Sequence, residues 1–263
     1  MHRTILITGA ASGIGRATAL LFASKGWFTC LFDMNRQALE QVCSVIGPEK
    51  SCCYAVDVRS HEDIENCVKL MARKTEHRLD VLFNCAGVLF MGSHAGIGIA
   101  EQKKTVDVNI GGILNMIDTC LPLLEASGNG VIINMSSASA IYGTPELAVY
   151  SATKHAVRGL TEALNIEFEP LGVHVCDIMA PYVRTPMIMD ADRKAASVSR
   201  LRVNLTPEQV AETVFQACFR KKIHWKVGML LRAMSAGTSL MPFASRFLTR
   251  MIAFSSAGSS AGK

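Results

Sequence analysis

The chain has 263 residues, 49% of them hydrophobic, 19% charged and 6% aromatic, with a formal net charge of +5. That length suits one large α/β domain, and a chain of this size buries roughly 70–75% of its unfolded surface, so it folds without staples. The composition excludes disordered, collagen-like and coiled-coil architectures, and so mild a charge does not by itself mark a nucleic-acid-binding protein.

In chain order, short β-branched or apolar runs alternate with longer helical patterns. Strands are expected at Thr4–Thr8, Phe28–Asp33, Cys52–Val56, Val81–Asn84, Val131–Met135 and Val173–Ala180. Helices are expected near 14–25, 35–46, 61–76, 100–119, 150–168 and 207–219. Near-continuous apolar strands separated by helices predict βαβ units and a parallel sheet covered on both faces, in one doubly wound α/β domain over 1–254. Residues at about 187–205 are polar and basic with few strand or helix signals, and the Gly/Ser-rich residues 255–263 predict a disordered tail.

The first strand runs straight into Thr8-Gly9-Ala10-Ala11-Ser12-Gly13-Ile14-Gly15, followed by a helical pattern. Glycines allow a sharp turn and close approach of the backbone to a pyrophosphate, whose charge is stabilised by N–H groups at a helix N-terminus. Strand before and helix after are the context such a turn requires. Asp33 ends the second strand 18 residues after Gly15, where a carboxylate can hold a ribose 2′-hydroxyl and repels a 2′-phosphate. Met34 and Asn35 follow it rather than a base, Ser12 precedes the second glycine of the turn, and Arg36 is the nearest rival cation. The pattern favours NAD over NADP.

Tyr150 and Lys154 are four residues apart and therefore share one helix face. A phenol ionises at about 10; a neighbouring ammonium that brought this to about 7 would stabilise the phenolate by about 4 kcal/mol. Tyr150 is then suited to act as general acid for ketone reduction and general base for alcohol oxidation. Ser137, just beyond the fifth strand, is suited to donate a hydrogen bond to a substrate oxygen as charge develops.

With these elements in place, the chain resembles the short-chain dehydrogenase/reductase family over roughly residues 3–190. The resemblance is carried by Thr8-Gly9-x-x-x-Gly13-x-Gly15, Asn84-Cys85-Ala86-Gly87, Asn109, Ser137, and Tyr150-Ser151-Ala152-Thr153-Lys154, with Ser137 thirteen residues before the tyrosine. It implies a Rossmann-type domain with a mostly seven-stranded parallel sheet, and hydride transfer between a nicotinamide cofactor and an alcohol or ketone. It also implies that Lys154 holds the nicotinamide ribose, that Asn109 supports a proton-relaying water chain, and that residues at about 187–205 are the variable substrate loop. Asp57 and Val58 correspond to the adenine contacts, Asn84 to Gly87 to the segment that stabilises the sheet and borders the cofactor, and Val183 and Thr185 to the carboxamide contacts. With Gly9, Ser12, Gly13, Ile14, Gly15, Asp33, Met34, Ala86 and Gly87, these complete the expected cofactor set. The family usually has Pro-Gly where this chain has Pro181-Tyr182, which puts a bulky ring near the nicotinamide or the substrate entrance.

The nine cysteines are scattered, odd in number and without C-x-x-C, and the seven histidines show no ligand spacing, so reduced structural thiols and no metal are expected. A strand begins right after Arg3, so no signal peptide is expected; no uncharged apolar run approaches ~18 residues, so no membrane-spanning helix is expected either. A cytoplasmic protein is the expectation. The last 51 residues hold eight Lys or Arg and no acid, against 19 basic and 22 acidic residues before them. Pro242 can start a helix carrying Phe243, Phe247, Met251 and Phe254 beside Arg246 and Arg250. That apolar/basic segment, about 223–254, reads as a peripheral membrane contact or an apolar lip, with packing on the domain or on a partner subunit as the alternative. The substrate expected is a neutral lipophilic secondary alcohol or ketone, with no nucleic acid and with a homodimer or homotetramer as the assembly. The alternatives are an NADPH-dependent 3-oxoacyl reductase and a non-catalytic dinucleotide sensor.

Overall fold

The computed structural model describes residues 2–201, 203–229, 231–233 and 235. Each β-branched or apolar run forms a strand: β1 (Thr4–Thr8), β2 (Phe28–Asp33), β3 (Ser51–Ala55), β4 (Val81–Asn84), β5 (Gly130–Met135), β6 (Val173–Met179) and β7 (His224–Lys226). The helices between them are α1 (Gly13–Ser24), α2 (Arg36–Ile46), α3 (His61–Lys74), α4 (Ile99–Val106), α5 (Gly112–Glu125), α6 (Ala148–Glu167), α7 (Pro186–Met189), α8 (Ala196–Leu201) and α9 (Pro207–Ala217).

All seven strands are parallel, in the order β3-β2-β1-β4-β5-β6-β7. Strand alternation splits the core in two. Ile5 and Ile7 of β1, Phe83 of β4 and Ile133 of β5 pack on one face against Phe22, Leu39, Val210 and Val214 from α1, α2 and α9. Leu6, Leu82, Ile132 and Val175 pack on the other against Ile64, Met71, Met116 and Val157 from α3, α5 and α6. A strand buried on both faces needs apolar residues at successive positions, which is why these runs do not alternate with polar ones.

The strand order reverses between β1 and β4, so the loops leaving these two strands diverge to opposite sides and open a crevice at the carboxyl ends of the strands. Side-chain caps set the helix starts nearby: Asn35 accepts from the Ala38 N–H at 3.1 Å and Ser60 from the Asp63 N–H at 3.3 Å.

The structure departs from the sequence-based expectations in several places, and β5 starts one residue early at Gly130 while β6 ends one early at Met179. β3 begins and ends one residue early, at Ser51, whose hydroxyl bonds back to the Gly47 carbonyl at 2.8 Å. The long helix expected at 100–119 is two α-helices joined by a π turn over Asp107–Gly111. Residues expected as an unpatterned loop carry α7 and α8. The start of the expected C-terminal apolar/basic segment is instead the edge strand β7, paired with β6 from Asp177↔His224 to Met179↔Lys226. The amphipathic helix and tail expected beyond it, at 242–263, lie outside the described residues. All nine cysteines are free, and no group of His, Cys, Asp or Glu among the described residues could hold a metal.

Candidate active site

One continuous cavity follows the carboxyl ends of β1 through β6. Its first wall is the turn after β1. Thr8 Oγ1 accepts from the Cys85 and Ala86 N–H groups, both at 3.0 Å, tying the end of β1 to the Asn84–Gly87 turn. Gly9 has φ +68°, and a Cβ there would lie 3.0 Å from the Ala86 backbone; a Cβ on Gly15 would lie 2.1 Å from the Gly9 carbonyl oxygen. These two glycines are therefore fixed by close backbone approach.

Ser12 caps α1 in extended conformation with no side-chain capping bond, and the first turn holds no acid. The start of α1 thus lies in the cavity wall at Gly13, Ile14 and Gly15 without a side-chain cap, a backbone donor set and a dipole end that fit a pyrophosphate. At the end of β2, Asp33 is fixed by the backbone: its carboxylate accepts from the Ala11 N–H at 3.0 Å and the Asn35 N–H at 2.9 Å. Each oxygen keeps acceptor capacity for a diol. Arg36, the rival cation, is bonded through Nε to Glu40 at 2.9 Å on the surface. Asp57 lines the rim but is paired with Arg59 at 2.6 Å, and that guanidinium holds its carboxyl below the ordinary range.

The other end of the cavity gathers Ser137, Tyr150 and Lys154. Tyr150 and Lys154 stand one turn apart on α6, the ammonium 5.5 Å from the ring centre. Lys154 is 4% exposed and donates to the Met135 carbonyl oxygen at 2.7 Å, leaving two of its three protons for other acceptors. Ser137 Oγ accepts from the Ser139 N–H at 3.1 Å, so its own proton is free to point at the site.

Burial pushes the Lys154 ammonium down to about 8, with Cys85 opposing. Burial also pushes the Tyr150 phenol up to about 12, opposed by its hydrogen bond with Ser137. The net shift is the opposite of the expected lowering: desolvation dominates, and the phenol is protonated at neutral pH.

Asn109, fully buried in the π turn, backs this end. Its Oδ1 accepts from the Val88 N–H at 2.8 Å, and its Nδ2 donates to the Val88 carbonyl at 3.1 Å and to Thr153 Oγ1 at 3.2 Å. Thr153 donates onward to the Tyr150 carbonyl at 2.7 Å. The extra residue of the π turn is what places this amide between the β4 loop and α6.

Of the expected residues, Gly9, Ser12, Gly13, Ile14, Gly15, Asp33, Met34, Asp57, Val58, Ala86, Gly87, Ser137, Tyr150, Lys154, Val183 and Thr185 all line the cavity. Asn109 stands behind the wall, and so does Asn84, 2% exposed and turned into the sheet, where it donates to Asn134 Oδ1 at 3.0 Å. Sequence reasoning placed Ile188 and Ser197 only within the segment 187–205 and missed Tyr142 and Leu147; all four line the end away from the glycine turn. No residue-type pattern marks them, since they come from three separate segments. Val88 and Leu89, just beyond the Asn84–Gly87 turn, are also in the lining.

The family model described as short chain dehydrogenase matches residues 3–196. The chain is 31% identical over 220 residues to a cyclohexanol dehydrogenase of Acinetobacter sp. (strain SE19), covering 81% of this chain and 86% of that one. It is also 31% identical over 218 residues to a 3-oxoacyl-(acyl-carrier-protein) reductase of Thermotoga maritima, covering 81% and 88%. Among solved structures, a 3-ketoacyl-(acyl-carrier-protein) reductase from Brucella melitensis complexed with NADH superposes with a TM-score of 0.78 at 28% identity, covering 86% of this chain and 96% of that one.

Proposed function

Because the chain belongs to the short-chain dehydrogenase family of oxidoreductases, with a Rossmann-type nucleotide-binding fold, we propose that it interconverts a secondary alcohol and a ketone with NAD(H), on a neutral lipophilic substrate. The observation that carries this reading is one cavity with the Ser137, Tyr150 and Lys154 constellation at one end and a backbone-anchored Asp33 at the other. Asp33 favours a 2′-hydroxyl, and the α1 N-terminus the pyrophosphate. Lys154, with two unspent protons, would hold the nicotinamide ribose, Val183 and Thr185 the carboxamide, and Asp57 and Val58 the adenine side. A nicotinamide bound there supplies the hydride donor or acceptor.

The chain's own residues supply the proton. In reduction, the Tyr150 phenol, protonated at neutral pH, gives its proton to the ketone oxygen, while Ser137 donates a hydrogen bond to the same oxygen. In oxidation the phenol must receive the alcohol proton, and the Lys154 charge beside the ring favours the phenolate that does so. Asn109 and Thr153 fix the first turns of α6, and a water-borne relay from Lys154 would pass Asn109 Oδ1.

Exposed Ile99 and Val106 of α4, Leu114 of α5 and Ile166 of α6 support a homodimer or homotetramer. No helix among the described residues is long and apolar enough to cross a membrane. Cytoplasmic residence and, through residues 242–254, peripheral membrane contact belong to this reading as proposals.

The test is cofactor reduction with NAD and with NADP over secondary alcohols of increasing apolar size. Faster turnover with NAD supports the reading. A preference for NADP, with a 3-oxoacyl thioester reduced fastest, would replace it by the reductase reading that the Thermotoga maritima relative favours. Silence with NADH still bound would favour a sensor.

A further inference from the structure

Tyr182 follows Pro181 just beyond β6 and projects into the cavity that holds Tyr150. Its hydroxyl lies 2.6 Å from Ser197 Oγ, and Ser197 is 1% exposed within α8. The start of α8 is pinned by two further contacts. The Ala196 N–H donates to the Glu146 carboxylate at 2.8 Å, and the Ala195 N–H to Met91 Sδ at 3.4 Å. Glu146 adopts a left-handed backbone, φ +65°, and its carbonyl accepts from the Gly92 N–H at 3.0 Å. A glutamate held in that region marks a position over-determined by its surroundings. Leu147, Ile188 and Val198 form an apolar cluster under these contacts, with the rings of Tyr150 and Tyr182 packed on it.

Two pairs of hydroxyls at this end are consumed by one another. Tyr182 is bonded to Ser197, and Ser139 to Thr144 Oγ1 at 3.2 Å. Among the described lining residues, the carboxylates and ammonium groups are Asp33, Asp57, Lys104 and Lys154, none of them from the segments that carry Tyr142, Leu147, Tyr182, Ile188 and Ser197. What is left to meet a substrate is the oxygen site at Ser137 and Tyr150 and the Tyr142 hydroxyl, with Leu147, Tyr182 and Ile188 in the same lining. A charged group on the substrate would be buried there without a counter-ion and rejected.

We infer that Tyr182, latched to Ser197, determines specificity by closing the substrate pocket to a compact space for ring-sized, uncharged alcohols and ketones. The inference rests on the dehydrogenase reading above and narrows its substrate class. A long acyl chain would have to pass the Tyr182 ring and part α8 from it.

The experiment compares kcat/KM for cyclohexanone, 2-decanone and a 3-oxoacyl N-acetylcysteamine thioester in wild type, Tyr182→Phe and Tyr182→Gly, with NADH titration as the check on folding. Wild type should prefer cyclohexanone, and Tyr182→Gly should shift the cyclohexanone to 2-decanone ratio toward the chain by about 10-fold or more, the scale of hydrophobic pocket discrimination. Tyr182→Phe keeps the ring and should keep the ratio within about threefold while raising KM. It should also speed tryptic cleavage after exposed Arg193 and Lys194, because the latch is gone. Tyr182→Val carries the same comparison if the glycine variant does not bind NADH. An unchanged ratio in an active Gly or Val variant overturns the inference and leaves the dehydrogenase reading intact. A wild type that reduces none of the three ketones overturns both.

Discussion

The Lys154 ammonium lies 5.5 Å from the centre of the Tyr150 ring and is bonded to the Met135 carbonyl oxygen at 2.7 Å, so one lysine ties α6 to the end of β5. Burial has opposite consequences for the two groups: the ammonium falls to about 8 and the phenol rises to about 12. Below pH 8 both are protonated, as ketone reduction requires. The kcat/KM for reduction, which reports groups of the free enzyme, should therefore be level from pH 6 to 7.5 and fall as pH rises through about 8, when Lys154 loses its charge. A profile flat to pH 10 would show that the charge on Lys154 is not needed.

The same shift affects stability with a definite sign. Between about 8 and the ordinary value of 10.5, an unfolded Lys154 keeps a proton that the folded one has released. The unfolded chain then binds more protons, and this residue's contribution to stability rises with pH across that window. In Lys154→Met the dependence is gone. The melting temperature of the wild type should accordingly gain on that of the variant between pH 7.5 and 10, and a constant gap in thermal melts contradicts the assignment.

Tyr150→Phe removes the proton donor and keeps the ring against Leu147 and Ile188. Turnover in either direction should drop by about 10²–10⁴-fold, the range of general acid–base catalysis, while NADH binding, followed by fluorescence, stays within a few-fold of wild type. Turnover within a factor of a few of wild type would remove Tyr150 from the mechanism.

Most of this architecture could be read from the residues because it rests on local rules. Buried parallel strands need continuous apolar runs, and β1, β2 and β4 occur at the expected bounds. The turn around Gly9 and Gly15 has to be glycine for reasons of backbone clearance, which sequence displays directly. What could not be read depends on distance in the fold. The π turn holding Asn109 follows from its ties to Val88 and Thr153, 21 and 44 residues away. The Tyr182 and Ser197 bond joins a strand exit to a helix 15 residues on. β7, three residues of mixed polarity, is a strand because β6 offers it an edge. The raised phenol follows from burial, which no i,i+4 spacing discloses.

Asp33→Asn separates the two contributions of that carboxylate to cofactor choice. The amide oxygen can still accept from Ala11 or Asn35, so the turn keeps part of its support, while the negative charge that repels a 2′-phosphate is gone. The ratio of kcat/KM for NAD to that for NADP should fall by about 10-fold or more, chiefly through better use of NADP, since 1.4 kcal/mol of relieved repulsion corresponds to about tenfold. If the ratio holds, charge at Asp33 does not set the preference, and Arg36, released from Glu40, becomes the group to test.

Gly15→Ala tests the phosphate turn at its tightest point. The added Cβ would sit 2.1 Å from the Gly9 carbonyl oxygen and 3.1 Å from the Ala10 Cα, both backbone atoms that no rotamer change can move. The turn must shift, and Gly9 cannot retreat, because its own position lies against the Ala86 backbone. Displacing it tilts the start of α1 away from the cavity, where its N–H groups are needed for the pyrophosphate. NADH affinity should fall by about 100-fold or more, equivalent to about 3 kcal/mol, together with a lowered melting temperature. Gly143→Ala, at a position where an added Cβ meets nothing within 4 Å, is the control and should bind NADH as wild type does. Equal NADH affinity in Gly15→Ala and the control would mean that the cofactor phosphates do not rest on this turn.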